Sequence, residues 1–227
     1  MRLSLLLMFF LNCLSTVKAQ VNQTIEQDSL YREDQFYVSI TYNALIDLPN
    51  NVSQNSFSTG VHLGVIRDFP LNKRRNIALA LGLGYSFNSF NQNIRISGHN
   101  PYNYSILESS NYSKNNFAQH FIEVPFQFRW RTSNAESYKF WRVYTGLKLG
   151  YLIASKSIFN DSSGSDSQKN LTDLNKLQYG LTMSIGYNTW NGYIYYGLNP
   201  VFNDVSTVDL QSIDMRVLKI GLIFYLL

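Results

Sequence analysis

Cysteine is nearly missing from this sequence. The one cysteine, Cys13, lies in an apolar N-terminal stretch that we expect to be removed from the mature protein. A mature chain without cysteine excludes disulfide bonds and thiol catalysis. Lipidation of Cys13 is disfavoured, because Asn12 stands where a lipoprotein signal has a small residue and Phe10 stands at the usual leucine position.

Charged residues and long apolar runs are also scarce. Only 15% of residues are charged, against about 25% in an ordinary soluble domain, so the chain needs an apolar solvent or an unusually large core. No later segment approaches the roughly 20 uninterrupted apolar residues of a spanning helix. The formal net charge of +4, which falls to +2 without Arg2 and Lys18, does not indicate a nucleic-acid partner.

The N-terminus has the three parts of a secretory signal peptide. Met1 and Arg2 form a short basic region, Leu3 to Leu14 form the apolar region, and Val17-Lys18-Ala19 is typical of a cleavage site. We therefore predict a signal peptide at 1–19 and a mature chain beginning at Gln20. A short periplasmic segment at 20–35 would precede a single domain at 36–227.

Eight segments of membrane-spanning length follow, and the gaps between them are alternately long and short. An even number of antiparallel strands, with long loops at one rim and short turns at the other, is typical of an outer-membrane β-barrel. We therefore predict an all-β fold, an eight-stranded antiparallel transmembrane β-barrel of the outer-membrane type. The predicted strands are 36–46, 57–68, 75–97, 117–131, 139–156, 176–188, 192–202 and 213–227.

The gap lengths also predict the orientation of the barrel in the membrane. The long gaps are rich in Asn, Ser and Asp and lie at 47–56, 98–116, 157–175 and 203–212. The short gaps lie at 69–74, 132–138 and 189–191. This two-sided pattern places both termini on the short-turn side, which we expect to be the periplasm.

The stretch from Ile77 to Asn88 distinguishes a membrane barrel from a soluble ligand-binding barrel such as a lipocalin. Its odd positions are all large and apolar, whereas its even positions are all small or polar. A soluble barrel would need a charged outer surface, which Ala, Gly, Ser and Asn do not provide. These residues fit the crowded interior of a small barrel instead, so the large apolar residues are expected to face lipid.

The same alternation predicts which charged residues point into the barrel. Five charged side chains fall on the inward face, and they form a candidate lumenal ion network: Glu123, Arg129, Arg142, Lys148 and Lys219. An eight-stranded barrel has room inside for side chains but not for an aqueous channel. We therefore expect these charges to pair with one another, and the alternative, a path for protons or substrate, remains open.

The sequence contains little that indicates catalysis. It has three histidines, of which we expect His62 to face the lumen, His99 to lie in the second long loop and His120 to lie near the loop end of a strand. No nucleophile elbow, metal spacing, phosphate loop or acidic pair is recognisable. We predict a non-enzymatic protein with no catalytic residue, cofactor or metal.

Lys73, Arg74 and Arg75 form the densest cluster of charge. The cluster lies in a predicted periplasmic turn, where basic residues are solvated and stay out of the bilayer. It is also a candidate docking turn for a periplasmic partner or for lipid phosphate.

Three stretches of the chain resemble a known family. They are IRDFPLNKRRNIAL at 66–79, continued by GLGYSFN at 82–88 and NQN at 91–93; FIEVPFQFRWR at 121–131; and YTGLKLGY at 144–151. They are similar to the PorT family of Bacteroidota outer-membrane barrels, which is called SprT in gliding bacteria. The Asp-x-Pro-x-Asn-Lys-Arg-Arg-Asn turn at 68–76 is the most particular element.

The resemblance implies a non-enzymatic component of the type IX secretion system. Such a protein is needed for export of cargo across the outer membrane and, in gliding species, for adhesin delivery. Its expected partners are outer-membrane lipids and other type IX components. Two alternatives remain: a general outer-membrane barrel that binds extracellular partners through its long loops, and an enzyme that acts on lipid at the barrel rim.

Overall fold

The computed structural model describes residues 34–98, 101–108, 112–132, 140–162, 164–208 and 210–226. The predicted signal peptide at 1–19 and residues 20–33 of the predicted periplasmic segment lie outside the described residues, as does His99. The last two residues of that segment belong to the first strand, which begins at Asp34.

The described residues form eleven strands: β1 (Asp34–Ile46), β2 (Thr59–Pro70), β3 (Ile77–Asn91), β4 (Ile94–Gly98), β5 (Tyr102–Ile106), β6 (Lys114–Arg131), β7 (Trp141–Asp161), β8 (Gly164–Lys169), β9 (Leu177–Tyr187), β10 (Trp190–Gly197) and β11 (Arg216–Leu226). Eight of them form one antiparallel sheet in the order β6-β3-β2-β1-β11-β10-β9-β7, and pairing of β6 with β7 closes it. The predicted eight-stranded antiparallel barrel is therefore confirmed.

Three short strands lie outside the barrel wall. β4 pairs only with β5 and forms a separate hairpin, while β8 pairs with the loop end of β7. The prediction of one strand over 75–97 is wrong, because β3 ends at Asn91. Asn93 donates to the carbonyl oxygens of Asn51 (2.8 Å) and Leu107 (3.1 Å), which directs the chain away from the wall.

Other strand ends differ from the prediction for local reasons. β6 and β7 extend three and five residues further toward the loops than expected, because Lys114 to Asn116 pair with Ile158 to Asn160. β10 ends at Gly197 rather than at 202. There the side chain of Asn199 accepts from the Tyr179 amide and donates to the Leu177 carbonyl, and Pro200 has no amide to donate.

Side chains alternate across the barrel wall as the sequence pattern predicts. In β3, Ala78, Ala80, Ser86 and Asn88 are buried inside, whereas Leu81 and Leu83 are exposed on the outside. The alternation changes phase in β7, where Ile153 forms a bulge opposite the step from His120 to Phe121. As a result, the even positions of β7 face inward before the bulge and the odd positions after it.

The two rims differ in connection length. The turns β2–β3, β6–β7 and β9–β10 lie at one end, where Asp34 of β1 pairs with Arg67 and Phe36 with Leu226. Both ends of the described barrel therefore lie at this turn end. Outward aromatic residues mark both rims: the Trp141 and Tyr187 ring centroids lie 5.3 Å apart at the turn end, and those of Tyr42 and Phe57 lie 5.1 Å apart at the loop end.

The described residues of the four long connections pack together over the loop end into what we call the loop cap, residues 47–58, 92–98, 101–108, 112–113, 162, 164–176, 198–208 and 210–215. Its apolar core joins residues of these connections to inward residues at the loop ends of the strands: Leu45, Val52, Phe90, Ile94, Ile96, Tyr102, Tyr104, Phe117, Leu171, Leu174, Val201, Phe202, Val205, Ile213, Met215 and Val217. The loop end of the lumen is thus covered by a packed apolar layer.

Asparagine side chains hold the loop cap together. The Asn175 amide donates to the carbonyl oxygens of Pro200 (2.8 Å) and Phe202 (2.9 Å). Tyr104 packs edge-on against Phe202 and donates its hydroxyl to Asp173 Oδ2 at 3.0 Å. Burial and the neighbouring Asp173 carboxylate raise the pKa of Tyr104. The polar composition of these loops therefore supports an ordered structure.

Large side chains fill the lumen below the loop cap. Glycines make room for them, and a Cβ atom at Gly84 would overlap the Tyr37 hydroxyl. Tyr37, Tyr193 and Tyr195 pack with Ile66 and Ile223 in the middle of the barrel. The described part of the chain has no helix that is both long and apolar enough to cross a membrane.

Candidate functional site

The middle of the lumen holds a polar cluster around Glu123, which we call the central cluster. Strand β6 directs Glu123 inward, opposite Gly84 of β3 and Gly150 of β7. Its Oε2 accepts from Lys148 Nζ at 3.0 Å, and its Oε1 lies 3.1 Å from His62 Nδ1. All three side chains are buried. Glu123 therefore binds one partner from β7, Lys148, and one from β2, His62.

Lys219 lies in the same cluster but has a different partner. Its Nζ donates to Asn88 Oδ1 at 2.7 Å and lies 5.0 Å from the Tyr195 ring centroid. Lys148 likewise faces the Tyr193 ring at 5.1 Å. Aromatic faces and an amide oxygen therefore assist one carboxylate in stabilising two buried ammonium groups.

A second polar cluster, the turn-end cluster, is built around Asp68. The Asp68 carboxylate accepts from Arg129 Nη1 at 2.6 Å and from Arg131 Nη1 at 2.7 Å. Arg129 also donates to the side-chain oxygens of Gln35 and Gln127, and its guanidinium lies 4.4 Å from the Tyr144 ring centroid. Each of the charged groups is almost fully buried. Asp68 thus holds two strands together through charge-assisted bonds.

The five residues predicted to form one lumenal network are all buried inside the barrel, but they separate into these two clusters. Glu123, Lys148 and Lys219 belong to the central cluster, whereas Arg129 and Arg142 lie toward the turn end. Among the described residues, only Glu123 and Lys148 of the five form an ion pair with each other. Arg129 pairs with Asp68 instead, because Asp68 also lies near the turn end, whereas Glu123 is six residues away from Arg129 along β6.

Two members of the turn-end cluster were not among the predicted site residues. Asp68 and Arg131 are the last residues of the predicted strands 57–68 and 117–131. Alternation places both side chains in the lumen. Asp68 is an even number of residues from the inward His62 on β2, and Arg131 is two residues from the inward Arg129 on β6.

Thr41, His62 and Glu123 lie next to one another and carry the hydroxyl, imidazole and carboxylate groups that a catalytic triad uses. His62 Nε2 lies 3.4 Å from Thr41 Oγ1. However, Thr41 donates its proton to Asn43 Oδ1 at 2.8 Å, so the hydroxyl is not presented to the imidazole. The three side chains are buried in the lumen. The arrangement satisfies buried polar groups, as a packed interior requires.

His120 lies outside the lumen, at the loop end of the wall. Its Nδ1 is 2.5 Å from the Tyr85 hydroxyl, and its ring packs on Phe87 at 5.1 Å. Within the described residues, no group of three or more His, Cys, Asp and Glu side chains is placed to hold a metal ion.

The basic turn at 73–75 is ordered by backbone contacts. The Arg75 amide donates to the Asn72 carbonyl at 3.0 Å, and Arg75 adopts a left-handed conformation with φ of 53°. The Arg75 carbonyl oxygen accepts from Arg131 Nε at 2.8 Å, which joins the turn to the turn-end cluster. Lys73 and Arg74 are exposed, whereas Arg75 is half-buried. The candidate docking surface of this turn therefore consists chiefly of Lys73 and Arg74.

Comparison with known proteins gives a family and a similar solved structure. The model of the outer membrane protein beta-barrel domain matches residues 18–203. The crystal structure of Ail, the attachment invasion locus protein of Yersinia pestis, is 13% identical over 85% of this chain and 98% of that chain, with a TM-score of 0.33. No curated protein matches the sequence.

Proposed function

The chain belongs to the outer membrane protein beta-barrel domain family, and on that premise we propose that it is a non-enzymatic barrel that acts through its rims rather than through its lumen. The barrel lies in the bacterial outer membrane. Its more specific role, in this proposal, is to support type IX protein secretion as an accessory to a separate export channel.

The observation that carries the proposal is the filled lumen. Tyr37, Tyr193 and Tyr195 occupy its middle, the central and turn-end clusters lie on the same inner face, and the loop cap covers its loop end. A barrel of eight strands is just wide enough for its own side chains. A folded protein does not pass through such an interior, so any role in export has to use an outer surface.

The secretion role itself is supported by the resemblance of residues 66–79, 121–131 and 144–151 to the PorT family. In this proposal the turn end faces the periplasm, and so do both termini. Lys73 and Arg74 then project from the membrane toward periplasmic components of the secretion system. The ordered turn favours docking, because binding would not have to overcome the entropy cost of ordering a flexible loop.

Deletion of the chromosomal copy tests the proposal. Type IX cargo should accumulate in the periplasm of the deletion strain, and the wild-type gene should restore export. Normal export in that strain would refute the secretion role. In gliding species, delivery of surface adhesins should fail together with export.

Removing the charges of Lys73 and Arg74 tests whether these residues bind a periplasmic partner or are only solvated. The variant with Lys73→Gln and Arg74→Gln should reduce export while the barrel remains folded. The matched control is Lys114→Gln with Lys169→Gln, which removes two exposed charges at the loop end. If both double variants export normally, the turn is only a solvated turn and docking involves another surface.

The second candidate function is binding of an extracellular partner through the loop cap. Two side chains favour it: Val208 is 67% exposed and Leu210 is 88% exposed at the tip of the β10–β11 connection. Normal export in the deletion strain, together with loss of adhesion to surfaces or other cells, would favour this function. An altered lipid A profile in that strain would instead indicate an enzyme acting on lipid.

A further inference from the structure

The turn end of the lumen contains more positive charge than the described residues neutralise. Arg129 and Arg131 share the Asp68 carboxylate, with N–O distances of 2.6 and 2.7 Å. Arg142 lies on the same inner face of the neighbouring strand, and no described carboxylate forms an ion pair with it. Three buried guanidinium groups thus face one carboxylate. An uncompensated buried charge is strongly unfavourable.

Two of these guanidinium groups also have N–H donors without an acceptor. In the described structure, Arg131 Nη2 and Arg142 Nε are buried and make no hydrogen bond. Arg131 and Arg142 are directly opposite each other in the β6–β7 ladder. Like charges at opposite positions of a ladder destabilise a sheet. Both the charge and the free donors of this pair therefore require an acceptor that carries negative charge.

The aromatic neighbours leave the guanidinium edges available. The Arg142 guanidinium lies 4.6 Å from the Phe140 ring centroid, and the Arg129 guanidinium lies 4.4 Å and 4.9 Å from the ring centroids of Tyr144 and Tyr225. Stacking covers the flat faces of a guanidinium group and leaves the in-plane N–H groups free. Such edges bind the oxygen atoms of an oxyanion through paired charge-assisted hydrogen bonds.

We propose that Arg131 and Arg142 form a binding site for a small oxyanion of the phosphate class at the turn end of the barrel. Arg131 is the last residue of β6 and Arg142 the second residue of β7, so both lie at the turn-end rim of the barrel. Arg142 is 8% exposed, so it contacts solvent. A bound anion supplies the missing counter-charge and ties together the β6–β7 end of the barrel wall.

Thermal unfolding of the full chain tests this site, with inorganic phosphate as the probe. The protein is held in a non-ionic detergent without phospholipid, and sodium gluconate keeps the ionic strength constant as phosphate is added. The unfolding midpoint should rise and then saturate, by about 5–10 °C at a hundredfold excess over Kd. Arg142→Gln should abolish the rise. Lys73→Gln, which removes an exposed charge outside the lumen, should preserve it.

A second variant, Arg142→Lys, distinguishes loss of phosphate binding from misfolding. Arg142→Lys retains the positive charge but lacks Nε, so the phosphate-dependent rise should shrink without disappearing. Altered gel mobility before and after boiling verifies that each variant is folded. A midpoint that does not respond to phosphate in the wild-type chain would overturn the site. A rise that is the same in Arg142→Gln would also overturn it, since only general salt effects would then be at work.

Two other sources of negative charge are distinguished in the same experiment. Glu136 lies in the β6–β7 connection, outside the described residues. A phosphate response that is absent from the wild-type chain and appears in Glu136→Gln would show that this carboxylate is the counter-charge, contrary to the proposal. A midpoint raised by phosphatidylglycerol in the detergent, but not by inorganic phosphate, would replace the free oxyanion with a lipid headgroup.

Discussion

Replacing Asp68 with asparagine removes the one carboxylate that two buried arginines share. Each carboxylate oxygen accepts from a different guanidinium group, Arg129 at 2.6 Å and Arg131 at 2.7 Å. An asparagine side chain has one acceptor oxygen, so its NH₂ group would face one of the two arginines. The shape of the side chain is conserved, and the substitution therefore isolates the effect of charge and hydrogen bonding.

The expected magnitude follows from burial. Breaking one buried ion pair by removing a partner costs about 3–5 kcal/mol, because a charge remains buried without compensation. Asp68 serves two arginines at once, so we expect a loss near the upper end, about 5 kcal/mol. The matched control is Asp34→Asn, which removes the partner of Arg67 in an exposed pair at the same rim, with side chains 58% and 72% exposed. Exposed pairs contribute only about 0–1 kcal/mol.

Urea unfolding in lipid vesicles measures both variants. Trp130, Trp141 and Trp190 all face outward at the turn end, so their fluorescence reports transfer of this end of the barrel from lipid to water. Asp68→Asn should lower the free energy of unfolding by several kcal/mol more than Asp34→Asn. Equal losses in the two variants would refute the conclusion that the turn-end cluster is a buried charge pair in the native barrel.

Three further predictions concern the central cluster, the orientation and the loop cap. Glu123→Gln leaves Lys148 without its carboxylate and should lower the free energy of unfolding by about 3–5 kcal/mol in the same assay; a loss no larger than that of Asp34→Asn would argue that Glu123 is solvated. Cys13, the one cysteine of the sequence, lies in the predicted signal peptide, so an impermeant maleimide should label Val208→Cys on intact cells and Lys73→Cys only after permeabilisation, and the reverse labelling would show that the barrel is inverted. Tyr104→Phe removes the hydrogen bond to Asp173 and should make the loop cap more sensitive to protease on intact cells, while Tyr151→Phe, whose side chain is 54% exposed on the outer wall, serves as its control and should have no effect.

The barrel wall could be predicted from the sequence because lipid and lumen impose opposite demands on alternate residues. The stretch from Ile77 to Asn88 separates large apolar from small and polar side chains at every position, so its register has a single solution. The inward direction of Glu123, Lys148 and Lys219 follows from the same alternation. Pro125 interrupts the ladder between β3 and β6, but this gap is local and leaves the alternation of the flanking residues intact.

The loop cap could not be predicted in the same way. Its core residues, such as Ile94, Phe202 and Met215, are spread over connections that are far apart in the sequence and carry no periodic pattern. The asparagines around them are typical of solvated loops, yet Asn93 and Asn175 bind backbone groups of other connections. Tertiary packing of this kind is not encoded in the spacing of residues along one segment.

The ion pairs required three-dimensional information as well. Alternation gives the face on which a side chain lies, but it does not give the register between neighbouring strands, which decides which side chains lie side by side. Arg129 reaches Asp68 because β2 and β6 are both neighbours of β3, with Asp68 opposite Ala80 and Arg129 opposite Ala78. Small alanines at these two positions leave space for the bridge. The bulge at Ile153 similarly changes the inward set of β7 without a visible signal in the sequence.

Electrical conductance tests the central claim most directly, namely that this barrel has a filled lumen and acts through its surfaces. The purified full chain is inserted into a planar lipid bilayer, with a porin of known conductance as the positive control and gel mobility as the measure of folding. Folded, inserted barrels should leave the conductance at the level of the bare bilayer. Stable, stepwise conductance from the wild-type barrel would contradict it, because ions would then have a continuous aqueous path through the lumen.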